Sequence, residues 1–327
     1  REGRNVWADG NTLTFVYEGK AESVEICCGF QESLTRLPDS NVWTLSKTIE
    51  NLSKAVVGYF FVPDGEFPQA DFEVWRGSEA PPEPETLEPS PGRIFERTIK
   101  SEILGEDRLV FVYLPPDYEA LKLLGLPVVY LADGASWDFA NYVEPLIRRG
   151  ELPPFIMIGI LPGDYLGDPN EEYNRSLDLR AQEYVPSVNY ERFKLHERFL
   201  LEEVLPWSEE NFGASNNRDE RIVGGFSNGG VFAAAMGLKN PNVFGYALPF
   251  SPGDNPVVET DISNVNTKFY LTVGELDEKR FVDATKNLAD TLSQNNITNV
   301  FEARVAGHDN VMWREEFVKA MLWVFEN

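Results

Sequence analysis

RIVGGFSNGGVFAAAMGL, residues 221–238, sets Gly225, Ser227 and Gly229 in alternation between a β-rich run and an Ala-rich run. The first part predicts a strand and the last part, with no β-branched residue after Val231, a helix. A connection this short must turn sharply. Small residues at 225 and 229 relieve the clashes that such a corner forces on its neighbours. Ser227 therefore falls at the carboxyl end of a strand and at the positive end of a helix dipole.

The same alternation extends outward from residue 93. RLVFVYLP (108–115), LPVVYLAD (126–133), PFIMIGIL (154–161), GYALPFSP (245–252) and KFYLTV (268–273) are short continuous apolar runs. Runs of that kind fit strands buried on both faces, as in a parallel sheet. Helix-like segments lie between them at 136–150, 190–212, 229–240, 281–296 and 313–327. The pattern predicts an α/β fold, in which ligand sites lie at the carboxyl ends of the strands.

Residues 8–77 read differently. LTFVY (13–17), VEICC (24–28), NVWTLSKTI (41–49), VVGYFFV (56–62) and FEVWRG (72–77), separated by turn formers, predict a small all-β, immunoglobulin-like sandwich. GSEAPPEPETLEPSPG (77–92), with five prolines, cannot form a helix or a central strand. The predicted organisation is a sandwich at 1–77, a stiff linker at 78–92 and a catalytic domain at 93–327.

Composition narrows the function. A chain of 327 residues with a net charge of −24 repels nucleic acid and anionic membrane surfaces. No apolar run approaches the roughly 18 residues of a membrane span, and REGRNVWADG carries no secretory signal, so a cytoplasmic location is favoured. A trimmed start would read the same. The two cysteines, Cys27 and Cys28, are adjacent in a strand-like run, where side chains point to opposite faces; no disulfide is expected between them. Two histidines, His196 and His308, are too few for a His-rich metal centre, and no metal or cofactor is expected.

A strand–GFSNG–helix corner can instead serve as a nucleophile elbow, which exposes a serine hydroxyl for attack on an ester. The amide of Asn228, opening the helix, could then donate to a developing oxyanion. A serine needs a base. His196 lies within FKLHERFLLEEVLPW at helical spacing to Phe193, Phe199 and Leu200, whereas His308 follows Gly307 in a loop between a strand-like run and the last helix. In the order serine, acid, histidine the base comes last, which favours His308. The acid is expected after KFYLTV: Asp277 is preferred, Glu275 is a close alternative and Asp254 a more distant one. A second oxyanion donor is expected from the loop after VVYLA, around Gly134 and Ala135.

RLVFVYLPPDYE, LPVVYLADGASW, ERFLLEEVLPW, GGFSNGG and GHDNVMWREEF together resemble the enterochelin esterase and esterase D group of α/β-hydrolases, which includes feruloyl-type esterases. The resemblance covers roughly residues 93–327. It implies an α/β-hydrolase domain with Ser227 as nucleophile, His308 as base and Asp277, three residues after Gly274, as acid. NRSLDL resembles a family R-x-x-E-L stretch: Arg175 matches, while Asp178 stands where the glutamate is usual. Arg175, Trp137 and Trp313 are the candidate substrate-binding positions. Residues 1–77 resemble more loosely the sandwich that precedes the catalytic domain in enterochelin esterases.

The expected function is a cofactor-independent serine esterase, working through an acyl-enzyme on a small-molecule ester, with a homodimer possible. Broad or aryl, feruloyl-like substrates are expected. The alternative, a siderophore trilactone, is strongly anionic as its ferric complex and would want Arg148, Arg149, Arg175 or Arg180 gathered at the site. A third reading is a polysaccharide-binding protein with an inactive hydrolase domain, using Trp7, Trp43 or Trp75.

Overall fold

The computed structural model describes residues 5–68, 72–87, 92–168, 171–254, 256 and 262–326. Contacts group Arg1–Glu83, Val273–Val282 and Ala303–Glu315 into one compact unit, and Pro84–Thr272, Asp283–Glu302 and Glu316–Asn327 into a second.

In the first unit, β1 (Val6–Asp9), β2 (Thr12–Glu18), β3 (Val24–Cys28), β4 (Glu32–Ser33), β5 (Thr35–Arg36), β6 (Val42–Thr48), β7 (Val56–Pro63) and β8 (Glu73–Arg76) form two four-stranded sheets. Their orders are β1-β2-β6-β5 and β4-β3-β7-β8, with antiparallel pairing throughout. Leu13, Phe15, Val24, Ile26, Trp43 and Val57 fill the core. Alternation puts these positions inward while Thr12, Thr14, Ser46 and Thr48 pair their hydroxyls on exposed positions. Trp43 is buried and Trp75 half-buried, leaving Trp7, at 38% exposure, as the accessible one of the three tryptophans. The expectation about the cysteines is corrected: Cys27 and Cys28 form a disulfide. The opposite-faces argument assumes a trans peptide, whereas the bond between them is cis and the Cα atoms are 3.1 Å apart.

The large sheet runs β16-β15-β14-β13-β11-β12-β10-β9. Its strands are β9 (Arg93–Ser101), β10 (Glu106–Leu114), β11 (Val128–Ala132), β12 (Ile156–Ile160), β13 (Arg221–Phe226), β14 (Tyr246–Phe250), β15 (Lys268–Gly274) and β16 (Asn299–Arg304). β11, β12 and β14 are buried along their whole length, as continuous apolar runs require. The pairings β12–β11, β11–β13, β13–β14 and β14–β15 are parallel. The sheet is not parallel throughout, however. β10 runs antiparallel to both β12 and β9, and for the β9 pairing the short turn between Ser101 and Glu106 admits only a hairpin.

The helices are α1 (Tyr118–Leu121), α2 (Ser136–Arg149), α3 (Leu179–Tyr184), α4 (Tyr190–Arg198), α5 (Leu205–Phe212), α6 (Asn228–Lys239), α7 (Lys279–Gln294) and α8 (Asn310–Glu326). A π-helical turn, Phe199–Val204, joins α4 to α5. Pro206 follows it and cannot donate an N–H into the preceding turn, which accounts for the irregular ladder. α6 is buried along nearly its whole length, and its apolar residues join Val128, Tyr130, Phe193, Phe199 and Leu271 in the main core. Each fully buried side chain of this size contributes about 1.5–3 kcal/mol.

Candidate functional site

The elbow is built by close backbone approach. Ser227 has φ 57° and ψ −124°, a conformation that a residue with a side chain rarely adopts. Its N–H donates to the Phe250 carbonyl at 2.9 Å, and its carbonyl accepts the first helical bond of α6, from Val231. A Cβ at Gly225 would lie 2.5 Å from the Gly229 carbonyl oxygen, one at Gly229 2.7 Å from the Ala132 methyl, and one at Gly230 2.5 Å from the Phe250 carbonyl. All three positions therefore require glycine. Although Ser227 occupies the N-cap position, its hydroxyl makes no capping bond. The amides of Asn228, Gly229 and Gly230 have no acceptor within the helix, which begins bonding at Val231.

Beside the elbow lies the loop after β11. Asp133 (φ 60°) and Gly134 (φ 67°) are both left-handed. The Gly134 amide donates to Ile160 at 3.1 Å, while that of Ala135 makes only a 3.3 Å turn contact to Ala132. The Asp133 amide donates to the Tyr184 hydroxyl at 3.1 Å. Its carboxylate receives a two-pronged contact from Arg180, Nε to Oδ1 at 2.6 Å and Nη2 to Oδ2 at 2.8 Å. Burial works against the Arg180 charge, but the Asp133 fork outweighs it and holds the guanidinium above its ordinary pKa. A Cβ at Gly229 would come within 2.9 Å of Asp133 Oδ2, so this carboxylate lies over the first turn of α6.

Asp277 and His308 belong to the first unit. His308 Nδ1 and Asp277 Oδ2 are 2.6 Å apart; the carboxylate side chain is 1% exposed and the imidazole 22%. Asp277 Oδ1 also accepts the Glu278 amide at 2.7 Å. The His308 ring packs against Phe281 (4.2 Å) and, edge on, Trp313 (4.8 Å). Its loop is fixed by strand backbone: the His308 amide donates to Gly29, and a Cβ at Gly307 would fall 1.4 Å from the Gly29 carbonyl oxygen. Asp309 caps α8 by accepting the Met312 amide at 2.9 Å. Burial pushes its carboxyl up to about 6, against the pull of the Met312, Gly58 and Val311 amides.

The loops after β13, β15 and β16 carry Ser227, Asp277 and His308 respectively. The Phe269–Thr298 and Glu275–Arg304 backbone bonds keep a constant offset, so β16 runs parallel to β15. The other acid candidates are placed elsewhere. Glu275 is exposed, its amide extending the ladder to Arg304, and Asp254 accepts from the Ser187 hydroxyl. Arg175 opens an exposed turn, and Asp178 caps α3 by accepting from Ala181. Trp313 is buried; the side chain of Trp137 lies outside the described residues. Arg149 is engaged with Glu85 and Glu151, and Arg148 lies in the last turn of α2.

His196 is fully buried on α4, its Nδ1 3.5 Å from Glu183 Oε2, and burial lowers its pKa to about 4. Burial disfavours the Glu183 carboxylate too, but Arg108, Arg192 and the Gly163 amide surround it and hold its pKa below the ordinary value. Among the described residues, no group of three or more His, Cys, Asp or Glu side chains could hold a metal ion, and no helix is long and apolar enough to cross a membrane.

The residues not singled out from the sequence are Tyr184 and Asp133, the latter being the partner of Arg180. The R-x-x-E spacing noted at 175–178 recurs as Arg180–Glu183, and in this second copy Glu183 is buried while Arg180 is half-buried against Asp133.

A family model described as "Putative esterase" matches residues 101–324. YbbA of Bacillus subtilis (strain 168), an uncharacterized protein, is 24% identical over 245 residues, covering 69% of this chain and 95% of that protein. An endo-1,4-beta-xylanase/feruloyl esterase of Xylanibacter ruminicola is 24% identical over 235 residues, which are 68% of this chain and 30% of that longer protein. The enterobactin esterase FES from Shigella flexneri shares the fold, with a TM-score of 0.73 at 18% identity over 99% of this chain and 97% of that one.

Proposed function

The chain belongs to the putative esterase family, and from that membership we propose a serine esterase acting through an acyl-enzyme. Ser227 is the nucleophile, His308 the general base and Asp277 the carboxylate that orients the imidazole. The serine hydroxyl adds to the ester carbonyl as its proton passes to His308 Nε2. The oxyanion is received by the Asn228 amide and by the Asp133–Ala135 loop, with Ala135 as donor. Collapse expels the alcohol, which takes the proton from His308. Water, deprotonated by the same imidazole, then releases the acid and restores Ser227. No step calls for a metal or an organic cofactor.

The observation that carries this reading is the elbow: a serine in a costly backbone conformation, walled by three obligatory glycines, whose hydroxyl is left uncommitted to the helix it opens. Natural helix starts spend such a hydroxyl on capping. The test is hydrolysis of p-nitrophenyl acetate by purified Ser227→Ala and His308→Ala proteins. Each is expected to lose on the order of a thousandfold or more in kcat; wild-type rates in Ser227→Ala would overturn the assignment.

For substrate, neutral aryl or feruloyl-like esters fit best. The chain carries a charge of −24, and Arg149 and Arg180 are already committed to carboxylates. A second reading, an enterobactin-type trilactone, is favoured by one observation: the likeness to the Shigella esterase runs over 99% of this chain, the all-β residues included. Hydrolysis of a catecholate trilactone against a neutral aryl ester separates the two, and strong preference for the trilactone would put that substrate first.

A further inference from the structure

We propose that Arg180 is a positioning residue for the oxyanion loop, fixing Asp133–Ala135 beside the elbow and cancelling the Asp133 charge there. The inference rests on the proposed role of Ser227. Asp133 occupies a left-handed conformation that is unfavourable for a residue with a side chain. The conformation is held from three sides: the Arg180 fork on the carboxylate, the Tyr184 hydroxyl on the Asp133 amide, and Ile160 on the Gly134 amide. Arg180 and Tyr184 stand four residues apart on α3, one turn of a single helix face. They also touch each other, with the guanidinium 5.7 Å from the Tyr184 ring centroid. The helix thus grips the loop at both its backbone and its side chain.

The charge argument is separate from the geometric one. Asp133 Oδ2 lies within 2.9 Å of where a Gly229 side chain would begin, at the amide end of α6. That helix end is the electropositive feature the reaction uses. A bare carboxylate at that helix end would oppose the negative charge that develops on the substrate oxygen. A guanidinium forked onto it removes the opposition and leaves the carboxylate in place as a structural tie. Arg180 does this without meeting the substrate, so its loss is expected in kcat and not in KM.

Kinetics of Arg180→Gln, Arg180→Lys, Asp133→Asn and the double variant Arg180→Gln/Asp133→Asn on a neutral p-nitrophenyl ester test the proposal. Fold is checked for each by thermal melting. Arg180→Gln is expected to lose about a hundredfold in kcat with KM changed less than threefold. Arg180→Lys keeps the charge but not the fork and should lose about tenfold. The double variant should recover about tenfold over Arg180→Gln, because the uncompensated charge has gone. A residue that merely supported the fold would give no such rescue. The proposal is overturned by an Arg180→Gln kcat within twofold of wild type, by a loss confined to KM, or by a double variant no faster than Arg180→Gln. Should Arg180→Gln fail to fold, Arg180→Lys with and without Asp133→Asn decides by the same signs. The underlying reading fails in a different way: wild-type protein would then show no fluorophosphonate adduct at Ser227.

Discussion

Replacing His196 by leucine should flatten the acid limb of the stability curve. The imidazole is fully buried, 5.0 Å from the Phe232 ring, 5.3 Å from Tyr184 and 5.8 Å from Phe199. Glu183, Arg108 and Arg192 are the charged groups that act on it. Burial holds the ring neutral down to a pKa of about 4, against 6.5 in the unfolded chain. Between these values the unfolded state binds the extra proton, so stability falls as pH falls from 6.5 towards 4. For pH 7 to 4.5 these two pKa values give a loss of about 2 kcal/mol from this one group. Other carboxylates also titrate in the window, and leucine changes the packing. Both contributions largely cancel when the pH 7 to 4.5 difference in unfolding free energy is compared between wild type and variant. Urea denaturation of each protein at the two pH values is the assay. The wild type should lose about 2 kcal/mol more than the variant; equal losses would refute the burial argument.

Asp277→Asn should lower kcat by on the order of a thousandfold or more with a small change in KM, whereas Glu275→Gln should stay within about twofold; steady-state kinetics decide. Gly307→Ala forces a methyl into the Gly29 carbonyl, and its three nearest atoms are all Gly29 backbone, with no flexible side chain to yield. It should cost about 3 kcal/mol or more, read as a lower urea midpoint, together with most of the esterase activity. Glu315 is buried between Arg76 and Arg304, which it pairs through its two oxygens. Glu315→Gln should destabilise by about 3 kcal/mol, because it leaves buried guanidinium charge uncompensated. Its hydrolysis rate under native conditions should be unchanged.

What was legible in the sequence was whatever depends on neighbouring residues. The elbow could be read because a tight corner writes its glycines beside it, at 225 and 229. Gly230 could not be, since its partner is the Phe250 carbonyl on the adjacent strand. The central strands announced themselves as unbroken apolar runs, while β9 did not: an edge strand mixing Arg, Glu and Lys into its length carries no such signal. Asp277 and Glu275 sit in one turn and only packing separates them. The Glu275 amide continues the ladder with its side chain exposed, and the next acid in line is buried against an imidazole. Asp133 and Arg180, 47 residues apart, meet through tertiary structure that no local pattern records. The cysteine pair misled for a related reason, since a strand rule built on trans peptides cannot foresee a cis bond.

Labelling with a fluorophosphonate, followed by mass spectrometry of the modified peptide, tests the central claim most directly. One adduct per chain is predicted on the peptide containing Ser227, abolished in Ser227→Ala and formed far more slowly in His308→Ala. An adduct on another residue, or undiminished labelling of Ser227→Ala, would contradict the account.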